Sequence, residues 1–179
     1  EINCEGDPVQ PGAGRHGGGL RLRRRGGHRQ GRGGHEAGWA LLRQLYLEET
    51  GQPLPPVRLT KRGKPYFPDS PYHFSISHTR RHAACVLGKY PVGLDLEELN
   101  RPIRLETARR VLSPAEYAQF EAAPDKRRAF LTFWVLKEAR VKCDGTGLLG
   151  FPNRTAFSLR DPRVWEWDGC LAAMIVEKG

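Results

Sequence analysis

A chain of 179 residues is long enough for one domain with a real core, or for two small halves packed together. Hydrophobic residues make up 39% of it and four tryptophans are present, which is typical of a globular protein and argues against a disordered one. No apolar run approaches the length of a membrane span, and no hydrophobic signal core is visible. Cys4, Cys85, Cys143 and Cys170 are isolated in the sequence, which argues against a zinc ribbon or a disulfide framework and fits the cytoplasm.

The net charge of +9 is concentrated near the N-terminus. Residues 8–35 contain seven arginines and no acidic residue, and subtracting their +7 leaves only about +2 for the rest of the chain. Glycine and arginine dominate this segment without apolar periodicity, which predicts a poorly ordered tail over residues 1–35. Such a segment can also contact nucleic acid, although a solvated tail without that function is the better interpretation.

A first α+β half is predicted over residues 36–91. Its helix has an apolar face and is followed by a strand, a basic turn and a hairpin of two further strands, whose tip carries polar residues. The predicted elements are a helix over residues 36–49 and strands over residues 57–60, 72–77 and 82–87.

The sequence Gly-Leu-Asp-Leu-Glu at residues 93–97 opens a second half, predicted over residues 92–179. Its alternation is typical of a strand with Asp95 and Glu97 on one face. Two neighbouring carboxylates repel each other unless a cation lies between them, and Mg²⁺ prefers oxygen ligands. A lone Asp-x-Glu is more often a solvated strand face than a metal site. Other residues of the chain are needed to distinguish the two.

A long helix is predicted after residue 125, and it carries a mixed stripe. Phe130, Trp134, Glu138 and Lys142 follow one another at i, i+4 spacing and therefore share one side of the helix. A stripe that ends with an acid and a base is expected to face something polar. If Glu138 faces the same point as the two strand carboxylates, three acids and one lysine form a metal and phosphate site.

The other predicted elements of this half are shorter. Ser113-Pro114-Ala115-Glu116 is a capping box with proline at the first helical position, which predicts a helix to about residue 122. A short helix is expected over residues 105–112 and three short strands over residues 156–177. The order of elements favours two α+β halves side by side.

Four short motifs, in this order, resemble those of the 4'-phosphopantetheinyl transferases: GKP at residues 63–65, FSISHT at 74–79, GLDLE at 93–97 and FWVLKEARVKCDGTGL at 133–148. The resemblance covers roughly residues 36–179. The chain most resembles the single-chain branch of this family, which comprises the surfactin-synthetase-activating and AcpT-like enzymes. This branch implies a pseudo-dimer of two similar α+β halves, a monomeric protein, and a cofactor cleft between the halves.

The resemblance also implies an activity. Such enzymes transfer the phosphopantetheine arm of coenzyme A to a serine of an apo carrier protein with Mg²⁺, and they release adenosine 3',5'-bisphosphate. Asp95, Glu97 and Glu138 are expected to hold the metal. Glu138 could instead accept the serine proton, and Lys142 would stabilise phosphoryl or leaving-group charge. The residues expected at coenzyme A are Lys64, Ser77, His78, Lys137 and Lys142.

Two other functions remain compatible with the sequence. A Mg²⁺-dependent phosphohydrolase acting on coenzyme A-like substrates could use the same carboxylates on water. A protein without catalytic activity could bind nucleic acid through the basic tail. Release of free phosphopantetheine without a carrier protein would indicate the first, and salt-dependent RNA binding that needs residues 1–35 would indicate the second.

Overall fold

The computed structural model describes residues 20–26, 33–147 and 156–177. Within these ranges the chain has a mixed α+β fold, as predicted. The elements before residue 91 are β1 (Arg21–Arg25), α1 (Gly33–Thr50), β2 (Arg58–Leu59), β3 (Pro65–Tyr66), β4 (His73–His78) and β5 (Ala83–Gly88). Those after residue 91 are β6 (Val92–Glu98), a 3-10 turn (Leu105–Thr107), α2 (Ala108–Val111), α3 (Pro114–Ala122), α4 (Lys126–Asp144), β7 (Val164–Trp167) and β8 (Cys170–Val176).

The first sheet is antiparallel, in the order β1-β5-β4, and α1 packs against it. Leu41, Leu42 and Leu45 recur at helical spacing and bury one face of α1 against Phe74 of β4 and Leu87 of β5. Strands β2 and β3 form a separate two-stranded hairpin. The predicted helix and hairpin strands of this half are therefore confirmed to within a few residues.

Strand β1 lies inside the segment 1–35 that the composition predicts to be poorly ordered, and this prediction is wrong for the strand. Arg21 pairs with Glu49 at 2.9 Å, and Arg23 pairs with Glu48. Both acids belong to the last turns of α1, so the arginines are ordered by charges that lie far along the sequence. Leu20, Gly26 and the first residues of α1 are also described, and the rest of the predicted tail lies outside the described residues.

The second sheet is antiparallel in the order β6-β8-β7, and α4 covers one of its faces. Leu131, Phe133 and Leu136 of α4 pack into one core with Leu171 and Ile175 of β8. Among the described residues no helix has the length and apolar character needed to cross a membrane.

Two strands, rather than the predicted three, occupy the described residues 156–177. They are joined by a two-residue turn in which Asp168 and Gly169 both have positive φ, 46° and 71°, as in the tight turns favoured by hairpins. The residues before β7 form a turn because Asp161 accepts the backbone N–H of Arg163 at 3.0 Å. This local bond replaces the predicted additional strand.

The ends of α3 and α4 follow the expected capping chemistry. Ser113 accepts the N–H of Glu116 at 3.3 Å, and the Glu116 carboxylate accepts the N–H of Ser113 at 2.7 Å, which confirms the capping box. Asp125 caps the start of α4 by accepting the N–H of Arg128. At the other end, Gly145 takes the left-handed conformation, with φ 66°.

The two sheets meet where β4 lies beside β6. The hydroxyls of Ser75 and Ser77 accept the backbone N–H groups of Leu94 and Leu96, each at 3.0 Å. A shared apolar core lies beneath this seam, formed by Ala84, Val86, Val92, Leu94, Leu96, Trp167, Cys170 and Ala172. The halves are thus closely joined, while the division at residue 91 and a pseudo-symmetry between the halves stay predictions.

Gly93 allows α4 to lie directly on β6. A Cβ at this position would overlap the carbonyl oxygen of Ala139 and the amide nitrogen of Cys143, both of which belong to the helix backbone. We expect Gly93→Ala to lower the free energy of unfolding by on the order of 1–3 kcal/mol, because the helix must shift. Urea denaturation measures this loss, and Gly33→Ala, whose Cβ meets no described atom within 4 Å, is the matched control. Equal midpoints for the two variants would contradict the expectation.

Candidate active site

Strand β6 and helix α4, which pack against each other, carry the predicted acidic residues. Asp95 and Glu97 lie on the same face of β6 as Gly93, and this face is covered by α4. From the helix, Lys142 contacts Asp95 and Trp134 contacts Glu97. The predicted helical stripe therefore faces the strand carboxylates.

Asp95 is held by one oxygen. Its Oδ1 accepts hydrogen bonds from Lys142 Nζ at 2.7 Å and from Ser77 Oγ at 3.1 Å. Its Oδ2 is buried and has no hydrogen-bond partner within the described part of the chain. A buried carboxylate oxygen without a donor is costly, and a cation would satisfy it.

Glu97 is held by an aromatic and a cationic side chain. Its Oε1 accepts the indole N–H of Trp134 at 3.0 Å and pairs with Arg101, whose guanidinium also lies over the Trp134 ring. Burial raises the pKa of Glu97, the hydrogen bond from Arg101 opposes that shift, and the charge of Asp95 adds to it.

Glu138 lies between Trp134 and Lys142 along the helical stripe. Burial raises its pKa, and the charges of Asp95 and Glu97 raise the pKa further, whereas Lys142 opposes the shift. Within this group of three carboxylates, the charge of one residue therefore affects the pKa of another. Such a group is suited either to bind a divalent cation or to accept a proton.

A tighter group of potential metal ligands lies elsewhere. Among the described residues, one ligand atom each from Cys143, Asp144 and Glu177 lies within 4.8 Å of the others, which is not so for Asp95, Glu97 and Glu138. Arg140 pairs with both carboxylates of that group, at 3.0 and 3.3 Å, and burial raises the pKa of the Cys143 thiol. These contacts explain the group without a metal.

A cleft of about 330 Å³ adjoins the acidic site. It lies between α1, the β2–β3 turn, β4 and the end of α4, and it combines cationic with apolar walls. The lining includes His35, Trp39, Arg62, Lys64, His78 and Lys142. Three of these were not expected from the sequence: His35 and Trp39, which hydrogen-bond to each other at 3.1 Å across one turn of α1, and Arg62. The run of basic residues in the β2–β3 turn is the signal that could have indicated Arg62.

Lys64 and His78, which the resemblance places at coenzyme A, both line this cleft. The Lys64 ammonium donates to the carbonyl oxygen of Cys143 at 2.6 Å, so it also caps the C-terminal end of α4. Burial lowers the pKa of Lys64, and nearby Cys143 and Asp144 oppose that shift. Burial also lowers the pKa of His78, and the charges of His35 and Lys142 lower it further.

Lys137 lies away from the cleft, and its predicted contact with coenzyme A is therefore not supported. Its ammonium pairs with Glu116 of α3 at 2.8 Å, and both side chains are 0% exposed. Positions 137 and 138 differ by about 100° around the helix, which sends their side chains to different surroundings. Ser77, also predicted at coenzyme A, is buried beside Asp95.

A second groove, of about 570 Å³, is lined by Arg101 and Trp134, the two partners of Glu97, and was not predicted. Trp134 and Phe130 form part of an apolar floor, and arginines surround it. The residues of this arginine groove include Arg101, Ile103, Arg104 and Arg110. The groove is suited to an acidic protein surface with an apolar centre.

Comparison with known proteins agrees with the motifs. Residues 91–167 match the 4'-phosphopantetheinyl transferase superfamily. A 4'-phosphopantetheinyl transferase of Bacillus subtilis is 39% identical over 89 residues, which cover 48% of this chain and 39% of that protein. The enzyme psf-1 of Bacillus pumilus is 32% identical over 116 residues, 62% of this chain and 49% of its own length. HetI of Nostoc sp. is 36% identical over 95 residues, 49% of this chain and 40% of its own length.

For residues 91–167, the superfamily predicted from the motifs is thus confirmed. The chain spans less than half the length of these curated relatives.

Proposed function

We propose that this protein transfers the 4'-phosphopantetheine arm of coenzyme A to a serine of an apo carrier protein, with Mg²⁺. The observation that carries the proposal is the position of Asp95, Glu97 and Glu138 beside a cleft lined by cations. Coenzyme A carries a pyrophosphate and a 3'-phosphate, so its site needs both features. The relatives named as 4'-phosphopantetheinyl transferases support the same reaction class and do not favour a phosphohydrolase.

The chemistry of the donors fits a magnesium ion. Asp95 offers a buried oxygen without a described partner, and Glu97 and Glu138 add carboxylate oxygens. The three need not all bind directly, because Mg²⁺ keeps several waters that can reach a more distant carboxylate. When bound, the metal would neutralise charge on the pyrophosphate and orient it.

The side chains of the chain have distinct parts in this proposal. Lys64 and Arg62 would attract the phosphates of coenzyme A, and Trp39 would provide an apolar wall. Lys142 is directed at Asp95 and would stabilise charge on the phosphoryl group or the leaving group as a point charge. Glu138, whose pKa burial raises, would accept the proton of the carrier serine directly or through a water.

The carrier protein would approach from the side of the arginine groove. That groove borders Glu97 through Arg101 and Trp134, and so it would place a serine on a docked partner near the acidic site. Its arginines favour a partner with an acidic surface. A monomeric enzyme in the cytoplasm, where coenzyme A and carrier proteins occur together, completes the proposal.

Intact-mass spectrometry tests this function. The protein is incubated with an apo carrier protein, coenzyme A and Mg²⁺, and we expect the carrier to gain the mass of the arm. A carrier with its attachment serine replaced by alanine is the matched control, and a chelator should stop the gain. Release of free phosphopantetheine from coenzyme A, with the carrier left unmodified, would instead indicate a phosphohydrolase.

A further inference from the structure

Two buried serines of β4 perform the same task at the seam between the sheets. Ser75 is 7% exposed and Ser77 is 4% exposed. Each hydroxyl accepts one backbone N–H of β6 at 3.0 Å, from Leu94 and Leu96 respectively. The two serines therefore make equivalent hydrogen bonds between β4 and β6.

Ser77 differs from Ser75 because it also contacts the acidic site. Its hydroxyl donates to Asp95 Oδ1 at 3.1 Å and accepts a hydrogen bond from Lys142 Nζ at 3.1 Å. Lys142 Nζ bonds the same Asp95 oxygen at 2.7 Å, so the three side chains form a closed triangle. Rotation of the Asp95 carboxylate would break two of these bonds.

The hydrogen-bonding capacity of Ser77 is filled by these contacts. A hydroxyl has one donor and two acceptor lone pairs. The donor is used on Asp95, and the lone pairs are used by the N–H of Leu96 and by Lys142. In this arrangement the Ser77 hydroxyl faces Asp95, Lys142 and the backbone of β6.

We infer that Ser77 is a positioning residue for the metal ligand Asp95. By holding Oδ1 together with Lys142, Ser77 keeps Oδ2 free of donors from the described chain and available to a divalent cation. The inference rests on the proposed magnesium site. It gives Ser77 a role at the metal site that is separate from the contact with coenzyme A implied by the resemblance.

Binding of Mn²⁺ as a paramagnetic stand-in for Mg²⁺ tests the inference without any turnover. Ser77→Ala should weaken Mn²⁺ binding, measured by electron paramagnetic resonance titration, by about 10-fold or more, as is typical for groups that orient metal ligands. Ser77→Thr keeps the hydroxyl and should restore most of the affinity. Circular dichroism and the melting temperature confirm that each variant is folded.

Ser75→Ala is the matched control. It removes the same kind of seam bond from the same strand without a contact to Asp95, so its melting temperature should fall, by no more than that of Ser77→Ala. Its Mn²⁺ affinity should stay close to that of the unchanged protein. A purely structural role of Ser77 predicts equal Mn²⁺ affinities for the two alanine variants, and that result would overturn the inference.

Two further outcomes separate this inference from the proposed function. If the unchanged protein binds no Mn²⁺, the metal site itself is refuted, and the positioning role with it. If the unchanged protein binds Mn²⁺ and Ser77→Ala binds it equally well but shows a raised KM for coenzyme A, Ser77 is a contact of coenzyme A and the inference fails. The inference is supported if Mn²⁺ binding is weakened in Ser77→Ala and is unchanged in Ser75→Ala.

Discussion

Replacing Glu138 with glutamine is expected to lower kcat for arm transfer by about 10²–10⁴-fold, the usual contribution of a positioned general base. The amide has almost the same shape as the carboxylate but cannot accept the serine proton. It also carries no charge toward Asp95, Glu97 or a divalent cation. Coenzyme A should still bind, because the cationic residues of the cleft are unchanged. The rate is measured as the time course of carrier mass gain, and coenzyme A binding by calorimetry.

Glu121→Gln is the matched control for this prediction, since Glu121 is an exposed glutamate on α3 away from the acidic site. Its rate should be close to that of the unchanged protein. A Glu138→Gln variant that transfers the arm at the unchanged rate would refute the role of Glu138. Loss of coenzyme A affinity with an unchanged kcat would assign Glu138 to substrate binding instead.

Replacing Lys137 with methionine is expected to lower the free energy of unfolding by about 3–5 kcal/mol. The change leaves the Glu116 carboxylate in the interior without its ammonium partner, although the backbone N–H groups of Ser113 and Phe157 still donate to it. An unpaired buried charge is much more costly than a buried pair. Urea denaturation with a fitted slope measures the change.

The double variant Glu116→Gln/Lys137→Met distinguishes charge from packing. Removal of both charges should recover a large part of the loss, because no ionised group is then left in the interior. Lys61→Met, at an exposed lysine in the β2–β3 turn, should have little effect. If Lys137→Met unfolds at the same urea concentration as the unchanged protein, the ion pair does not stabilise the fold.

Local sequence patterns predict much of this fold. The capping box at Ser113 and Glu116, the alternation around Asp95 and the i, i+4 stripe of α4 depend on residues that are close in the sequence, and the structure contains all three. Strand β1 was missed because its partners, β5 in the sheet and Glu48 and Glu49 of α1, lie more than twenty residues further along the chain. Composition alone does not register such partners.

The candidate site also combines residues that local motifs predict with contacts between residues that are distant in the sequence. The motifs predict Asp95, Glu138 and Lys142 as site residues, whereas the partners of Ser77 and Lys137 depend on packing between elements. Lys137 is adjacent to Glu138 in the sequence, yet it meets Glu116 because α3 lies on that side of α4.

The serine seam has a consequence for the dynamics of the molecule. Successive amides of a strand point to opposite sides, so the amides of Leu94 and Leu96 face β4, whereas their neighbours face β8. The exchange of these two amide protons with deuterium should therefore report breathing between the halves, separately from fraying of the β6–β8 ladder. A ligand that bridges the halves would slow exchange at these two positions first.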